Sequence, residues 1–289
     1  MSPRKTAVLS LILVMTIWGS AFAITKATLS TMPPILFALL RFAVASLVLL
    51  PIAQLRGGRA KIRTPIALPT IVLMGLTGVT LYYVGYNISL SYISASQAVL
   101  IQSAIPAVTA FFAFLFLKER LTAKRMAGIA ISLVGVAVVM IAAAPTGGAT
   151  NLLLGDALMA GTTILWAAYT ILAKRLAEYD QIVVTAYSTA AGTLLLLPIA
   201  LWEVLNSPVP GIPAHDWLSV LYLGAISSAG GYWLYNRSLR QLEASQTSAY
   251  INLMPVVGVA TAVVFLGETL VLWQLLGGAF VLLGTWLST

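Results

Sequence analysis

Residues 75–97 read GLTGVTLYYVGYNISLSYISASQ, and residues 224–246 read GAISSAGGYWLYNRSLRQLEASQ. At a constant offset of 149 residues, Gly75 pairs with Gly224, Tyr83 with Tyr232, Tyr86 with Tyr235, Asn87 with Asn236 and Ser89 with Ser238. Both stretches end on Ala-Ser-Gln, and Pro106, Glu119, Gly128 and Gly135 return farther on as Pro255, Glu268, Gly277 and Gly284. About a third of roughly 60 positions are identical without a gap, which a shared hydrophobic bias does not easily produce. A duplicated unit with an odd number of membrane spans must cross the bilayer in opposite senses in its two copies. That is the architecture of a machine alternating between two sides.

Composition agrees. The chain is 289 residues long, 60% hydrophobic and 8% charged, with a mean hydropathy of +0.97. A soluble domain carries about 25% charged residues, so the sequence reads as an integral membrane protein. The apolar runs are long and uninterrupted, not alternating at every second residue, which excludes an outer-membrane barrel. A net charge of +8 does not point to nucleic acid here, because the basic residues sit at the ends of apolar runs as topology signals. With no cysteine, disulfides, thiolate catalysis and Cys-based metal sites are ruled out.

The pattern predicts an all-α polytopic protein of ten transmembrane helices, in two inverted five-helix repeats spanning 1–145 and 146–289. The helices are expected at about 7–28, 34–54, 66–89, 94–117, 123–143, 152–173, 181–203, 216–236, 244–266 and 271–288. Breaks fall at Pro33-Pro34, at Gly57-Gly58, from Pro145 to Gly148, and at Pro208, Pro210 and Pro213. Of the 16 Lys and Arg residues, all but Lys26 and Arg41 fall at the N-terminus or in alternate loops. This bias puts both termini in the cytoplasm. Arg4-Lys5, the apolar run and Ala21-Phe22-Ala23 also resemble a cleavable signal peptide. Against cleavage, WGSAFAITK (18–26) has a counterpart in WAAYTILAK (166–174), so the first helix belongs to the repeat.

Two five-helix repeats, a Trp in the first and sixth helices, Leu40-Arg41-Phe42, and the Lys118-Glu119-Arg120-Leu121 and Gly267-Glu268-Thr269-Leu270 junctions resemble the drug/metabolite transporter superfamily, its EamA-type members in particular. The resemblance covers essentially the whole chain. It implies a bacterial inner-membrane exporter of small metabolites, amino acids and aromatic ones among them. It also implies a central cavity between the halves, with the fifth and tenth helices peripheral to it.

A transported solute needs polar contacts near the midplane. The third helix offers Tyr82, Tyr83 and Tyr86, and the eighth Tyr232 and Tyr235. These uncharged donors suit a zwitterion that must also be released, or else form an interfacial belt with interhelical bonds. Asn87 and Asn236, near helix ends, read as capping groups. Trp18 and Trp166, with Ser20 and Tyr169, lie well inside their helices, where indole faces attract ammonium groups or simply pack. Pro106 and Pro255 bend the fourth and ninth helices at equivalent points, as gating hinges or static kinks. Gln102 and Ser103, and Tyr250 and Asn252, stand ready to satisfy the freed carbonyls or to meet substrate. Arg41 has no acid near it in sequence, so a cavity, carbonyls or a substrate carboxylate must compensate it. Lys26 is expected to snorkel to the interface. Glu119 and Glu268 read as structural charges favouring the helices that follow them. Gly128, Ser132, Gly135, Gly277, Ala279 and Gly284 give the fifth and tenth helices small surfaces for packing, within the chain or between subunits.

The acidic residues are all expected at helix ends or in loops, with Asp156 about one turn inside, and the single histidine, His215, in an outer loop. Proton relays and cation sites call for membrane carboxylates or histidines. Uncoupled movement of zwitterions is therefore the expectation, with no cofactor, no metal and no nucleic-acid partner. No catalytic constellation or phosphate loop is present, so the chain does not read as an enzyme. Two alternatives remain: a nucleotide-sugar or other organic-anion carrier, which predicts more basic lining, and a non-transporting membrane scaffold, which predicts no flux. The amino-acid substrate range and the oligomeric state stay open at this level, a monomer being compatible.

Overall fold

The computed structural model describes residues 2–57, 67–120, 122–141, 151–207 and 211–288. Gly58, Arg59, Lys61, Arg63, Leu121, Pro145 to Gly148, Pro208 and Pro210 lie outside the described residues, as does the boundary expected at 145/146. The described residues form ten helices and no strand: α1 (Pro3–Thr28), α2 (Pro34–Leu55), α3 (Ala67–Tyr92), α4 (Ala95–Leu117), α5 (Ala123–Ile141), α6 (Leu152–Arg175), α7 (Gln181–Asn206), α8 (214–238), α9 (Ala244–Leu266) and α10 (Leu272–Ser288). All but α8 and α10 are long and apolar enough to cross a membrane. α10 is apolar but only 17 residues long, and α8 is diluted by serine, glycine, tyrosine and asparagine. Local chemistry sets several ends. Ser2, Ser94 and Asp180 each accept a hydrogen bond from a first-turn backbone N–H, and prolines open α1 and α2, where their missing N–H costs nothing.

Four helices depart from regular α geometry, in pairs related by the repeat. α3 widens to a π-helix over Leu76–Leu81 and α8 over Tyr222–Gly230, so the two widened segments end at equivalent residues. α4 breaks at Ser103 and Ala104 before a new segment opened by Ile105 and Pro106. α9 tightens to a 3-10 turn over Tyr250–Leu253 before Met254 and Pro255. Proline has no N–H to continue the preceding ladder, so the discontinuity lies in the turn before it.

Charged side chains then satisfy helix ends, the two glutamates across the halves and the two lysines within them. Glu119, just past α4, does not favour the helix after it. It reaches to the start of α9, accepting from Ala244 N at 3.1 Å and Ser245 Oγ at 2.5 Å. Glu268, just past α9, accepts from Ala95 N at 2.7 Å and Ser96 N at 2.8 Å at the start of α4. Each of these two helices therefore ends where the other begins. Lys26 does not snorkel: its Nζ donates to Leu90 O and Ile93 O, at 2.5 and 2.9 Å. Lys174 does the same to Leu239 O and Leu242 O, both at 2.7 Å. Ammonium groups thus satisfy the carbonyls that the ends of α3 and α8 leave open.

α5 and α10 pack on each other. A Cβ on Gly128 would stand 2.5 Å from Gly284 O, and one on Gly135 2.7 Å from Gly277 O, so backbone touches backbone. The small-residue surfaces thus serve packing within the chain. Ala279 is exposed and takes no part. Large apolar side chains such as Leu47 (74% exposed) and Leu55 (89%) cover the outside of the bundle.

Candidate functional site: a ring-lined chamber

The expected aromatic residues meet in one continuous cluster. Trp18 of α1 and Trp166 of α6 contact edge to face at 5.1 Å between ring centroids. Trp166 also lies 5.3 Å from both Tyr82 and Tyr232. Tyr83 meets Phe42 at 4.5 Å, and Tyr86 meets Phe22 at 5.2 Å. Such edge-to-face contacts are each worth about 0.5–1.5 kcal/mol beyond burial.

A cavity opens on one side of this cluster. It is lined by Trp18, Ala21 and Phe22 of α1, Arg41 of α2, Tyr82, Tyr83 and Tyr86 of α3, Gln102 and Ile105 of α4, Trp166 of α6, and Ile251 and Met254 of α9. No side chain of α5 or α10 reaches it. Its volume of ≈ 30 Å³ has room for about two waters. A small-molecule pocket takes about 300 Å³ or more, so in this conformation the side chains nearly fill the chamber.

The polar groups are held firmly. Trp18 Nε1 donates to Ser227 O at 2.9 Å, and Tyr232 OH donates to Gly78 O at 2.6 Å. Those two carbonyls are equivalent under the repeat, and both lie in widened segments, where helical carbonyls lose their usual partners. Gly78 is required there: a Cβ would run into the ring of Tyr169. Gln102 donates from Nε2 to Thr162 Oγ1 at 3.0 Å, and shares a hydrogen bond with Tyr82 OH. Trp166 Nε1 lies beside Tyr235 OH without a well-formed hydrogen bond. Arg41 is 2% exposed. Its Nε donates to Ser228 Oγ at 2.7 Å and its Nη2 to Ser227 Oγ at 3.1 Å, while Cζ sits 4.7 Å above the ring of Tyr83. No carboxylate pairs with it among the described residues.

Other expected site residues fall elsewhere. Ser20 Oγ turns back to Ile17 O in its own helix. Tyr169, Tyr232 and Tyr235 belong to the cluster but form its backing instead of the cavity wall; their hydroxyls meet Asn236, Gly78 and Thr170. Tyr250 and Asn252 are half-buried and off the wall, whereas Ile251 between them lines it. Asn87 holds Pro34 O at 2.8 Å, tying α3 to α2. Pro106 and Pro255 mark the segment breaks, with Ile105 and Met254 at the wall.

Three acids, Asp156, Glu203 and Asp216, lie near helix ends as expected but are buried, and none lines the chamber. Asp156 accepts from Gln97 Nε2, Glu203 from Ile35 N and Leu36 N, and Asp216 from Thr31 Oγ1. Residues at the site with no signal in the sequence include Phe22, Phe42, Ser227 and Ser228, besides the apolar wall residues Ala21, Ile105, Ile251 and Met254. Ordinary helical phenylalanines and serines carry no signal in one sequence. A second, wider cavity of ≈ 720 Å³ lies among the start of α1, the start of α7 and the end of α8. Arg56, Arg237, Arg240 and Asp180 are among its lining.

Comparison with known proteins places this geometry. The EamA-like transporter family matches the chain twice, over residues 5–141 and 153–289. A probable terminal-alkyne amino-acid exporter of Streptantibioticus cattleyicolor is 31% identical, covering 97% of this chain and 92% of its own. A probable amino-acid metabolite efflux pump of Salmonella typhimurium is 30% identical, over 99% and 95%. An uncharacterized transporter of Archaeoglobus fulgidus is also 30% identical, over 96% of each chain. A solved crystal structure shares the fold with a TM-score of 0.72 at 22% identity, covering 99% of this chain and 98% of that one. Matched by the family over both halves, with eight helices among the described residues fit to span a bilayer, the chain belongs to the EamA-like transporters and is a multi-pass membrane protein.

Proposed function

We propose that this protein exports amino acids, aromatic ones included, across the bacterial inner membrane, by alternating access between two inverted five-helix units. One observation carries the reading: a chamber walled by aromatic rings, with one buried guanidinium and no acid in its lining. Arg41 offers paired N–H donors that suit a carboxylate. The faces of Trp18 and Trp166 suit an ammonium group or an aromatic side chain. The names of the relatives from S. cattleyicolor and S. typhimurium support the substrate class.

The reciprocal contacts of Glu119 and Glu268 support the inversion, because repeat-related α4 and α9 lie antiparallel. The double family match supports a division near residue 145. A chamber of ≈ 30 Å³ must widen to admit an amino acid, as alternation requires. The loop charges support a cytoplasmic position for both termini, and on that reading the arginine-lined cavity of ≈ 720 Å³ would face the cytoplasmic source of substrate. Among the described residues no carboxylate stands on the chamber wall, which supports transport uncoupled from protons.

The test is counterflow in proteoliposomes with a panel of labelled amino acids, with and without a pH gradient. Exchange of aromatic amino acids that is indifferent to the gradient is expected. Acceleration by the gradient beyond what substrate protonation explains would remove the uncoupled mechanism. Exchange of nucleotide sugars or other organic anions in place of amino acids would favour the anion-carrier reading. No flux at all would favour a scaffold.

A further inference from the structure

Arg41 is buried with no countercharge, and what compensates it is unusual for a helix. Serine and threonine hydroxyls in helices commonly bond back to a carbonyl three or four residues earlier. Thr16, Thr28 and Thr163 do so here. Ser227 and Ser228 do not: their Oγ atoms accept from Arg41 Nη2 and Nε. Those two nitrogens form the side-on edge that a carboxylate grips with both oxygens. Two hydroxyls from consecutive residues thus sit where two carboxylate oxygens would. The widened turns of Tyr222–Gly230 bring consecutive side chains closer in direction than an α-helix does.

The arrangement is also confined to one half. The lysine clamps, glutamate caps and carbonyls of Gly78 and Ser227 recur at repeat-equivalent positions, as features serving the fold should. The counterparts of Ser227 and Ser228 are Gly78 and Val79, which have no hydroxyl. The fold therefore does not demand this pair. Ser227 is in addition wired to the cavity wall, since its carbonyl holds Trp18 Nε1.

We propose that Ser227 and Ser228 are positioning residues that hold the carboxylate-binding edge of Arg41 until a substrate carboxylate displaces them, freeing the widened segment of α8 to change register. This rests on the reading that the substrate carries a carboxylate. Hydroxyls are weaker acceptors than a carboxylate, so the exchange favours entry. On release, the hydroxyls take the guanidinium back and spare it from lying buried without acceptors.

The test uses purified protein with L-phenylalanine and L-phenylalaninamide, which lacks the carboxylate. Binding is followed by calorimetry, and backbone hydrogen exchange over residues 222–230 is read in the unsubstituted protein. Phenylalanine should bind at least about tenfold more tightly than the amide. Equal binding, or none, removes the carboxylate reading and this inference with it. Given that preference, phenylalanine should speed exchange in 222–230 while the amide leaves it unchanged. Slower or unaltered exchange with phenylalanine overturns the placeholder role and leaves the carboxylate reading standing. In the Ser227→Ala/Ser228→Ala variant, phenylalanine should bind about tenfold tighter and turn over more slowly, with the amide unaffected. Weakened or unchanged binding of phenylalanine by a folded variant overturns the proposal.

Discussion

At the scale of residues, the chamber joins two kinds of contact that fail differently. Trp18 and Trp166 are packed edge to face against each other, and both line the cavity. Trp18→Ala and Trp166→Ala should each cut amino-acid flux at least about tenfold, measured per inserted molecule, while membrane insertion stays intact. Unchanged flux in both variants would remove the aromatic chamber from the pathway. Arg41→Gln keeps some hydrogen bonding to Ser227 and Ser228 but loses the charge. It should weaken binding of carboxylate substrates by about 30-fold or more, with amide analogues little affected. An equal loss for acid and amide would mean that Arg41 shapes the chamber without touching the carboxylate. Much of the wall was legible in the sequence, because an arginine or a tryptophan inside a span is costly or large enough to need a reason. Ser227 and Ser228 were not legible, since a helical serine commonly satisfies itself on its own backbone. Ser20, expected at the site beside Trp18, does so.

At the scale of elements, the helices depart from regularity where the repeat predicts, but the sequence reading named only half of the causes. Pro106 and Pro255 announced the breaks in α4 and α9. The widened turns in α3 and α8 contain no proline and depend on partners from the opposing half, Tyr232 for Gly78 O and Trp18 for Ser227 O. Contacts of such long range are invisible to local pattern. The same holds for Glu119 and Glu268, whose charges were legible as helix-start signals while the helices they cap were not. Each gives a partner to two donors at the start of the other helix, Ala244 N and Ser245 Oγ for Glu119 and Ala95 N and Ser96 N for Glu268. Glu119→Ala and Glu268→Ala should therefore each destabilise the protein by about 1–3 kcal/mol, seen as a lower Tm in detergent. The two glutamates cap opposite ends of a helix pair, so the double variant should show nearly the sum. A Tm that does not move in either single variant would show the caps to be dispensable. Packing of α5 on α10 gives a contrasting expectation. Gly128→Val should lower Tm yet leave substrate affinity of the folded fraction unchanged, because neither helix lines the chamber. A matching loss of affinity would tie this peripheral pair to the transport path.

At the scale of the whole molecule, the proposed architecture is two related bundles facing each other across rings and one cation. The all-helical class and the number of helices were legible from composition and loop charge. The collapsed chamber was not, because the cavity volume depends on how side chains from six helices interlock. Opposed orientation of the two units underlies everything proposed about alternation, and the absence of native cysteine allows it to be read directly. Single cysteines placed at Ala60 and Pro210 can be probed in intact cells with a membrane-impermeant thiol reagent. The account predicts that the cysteine at 210 is labelled from outside, and that the cysteine at 60 is labelled only after the membrane is opened. Labelling of both from the same side would contradict it.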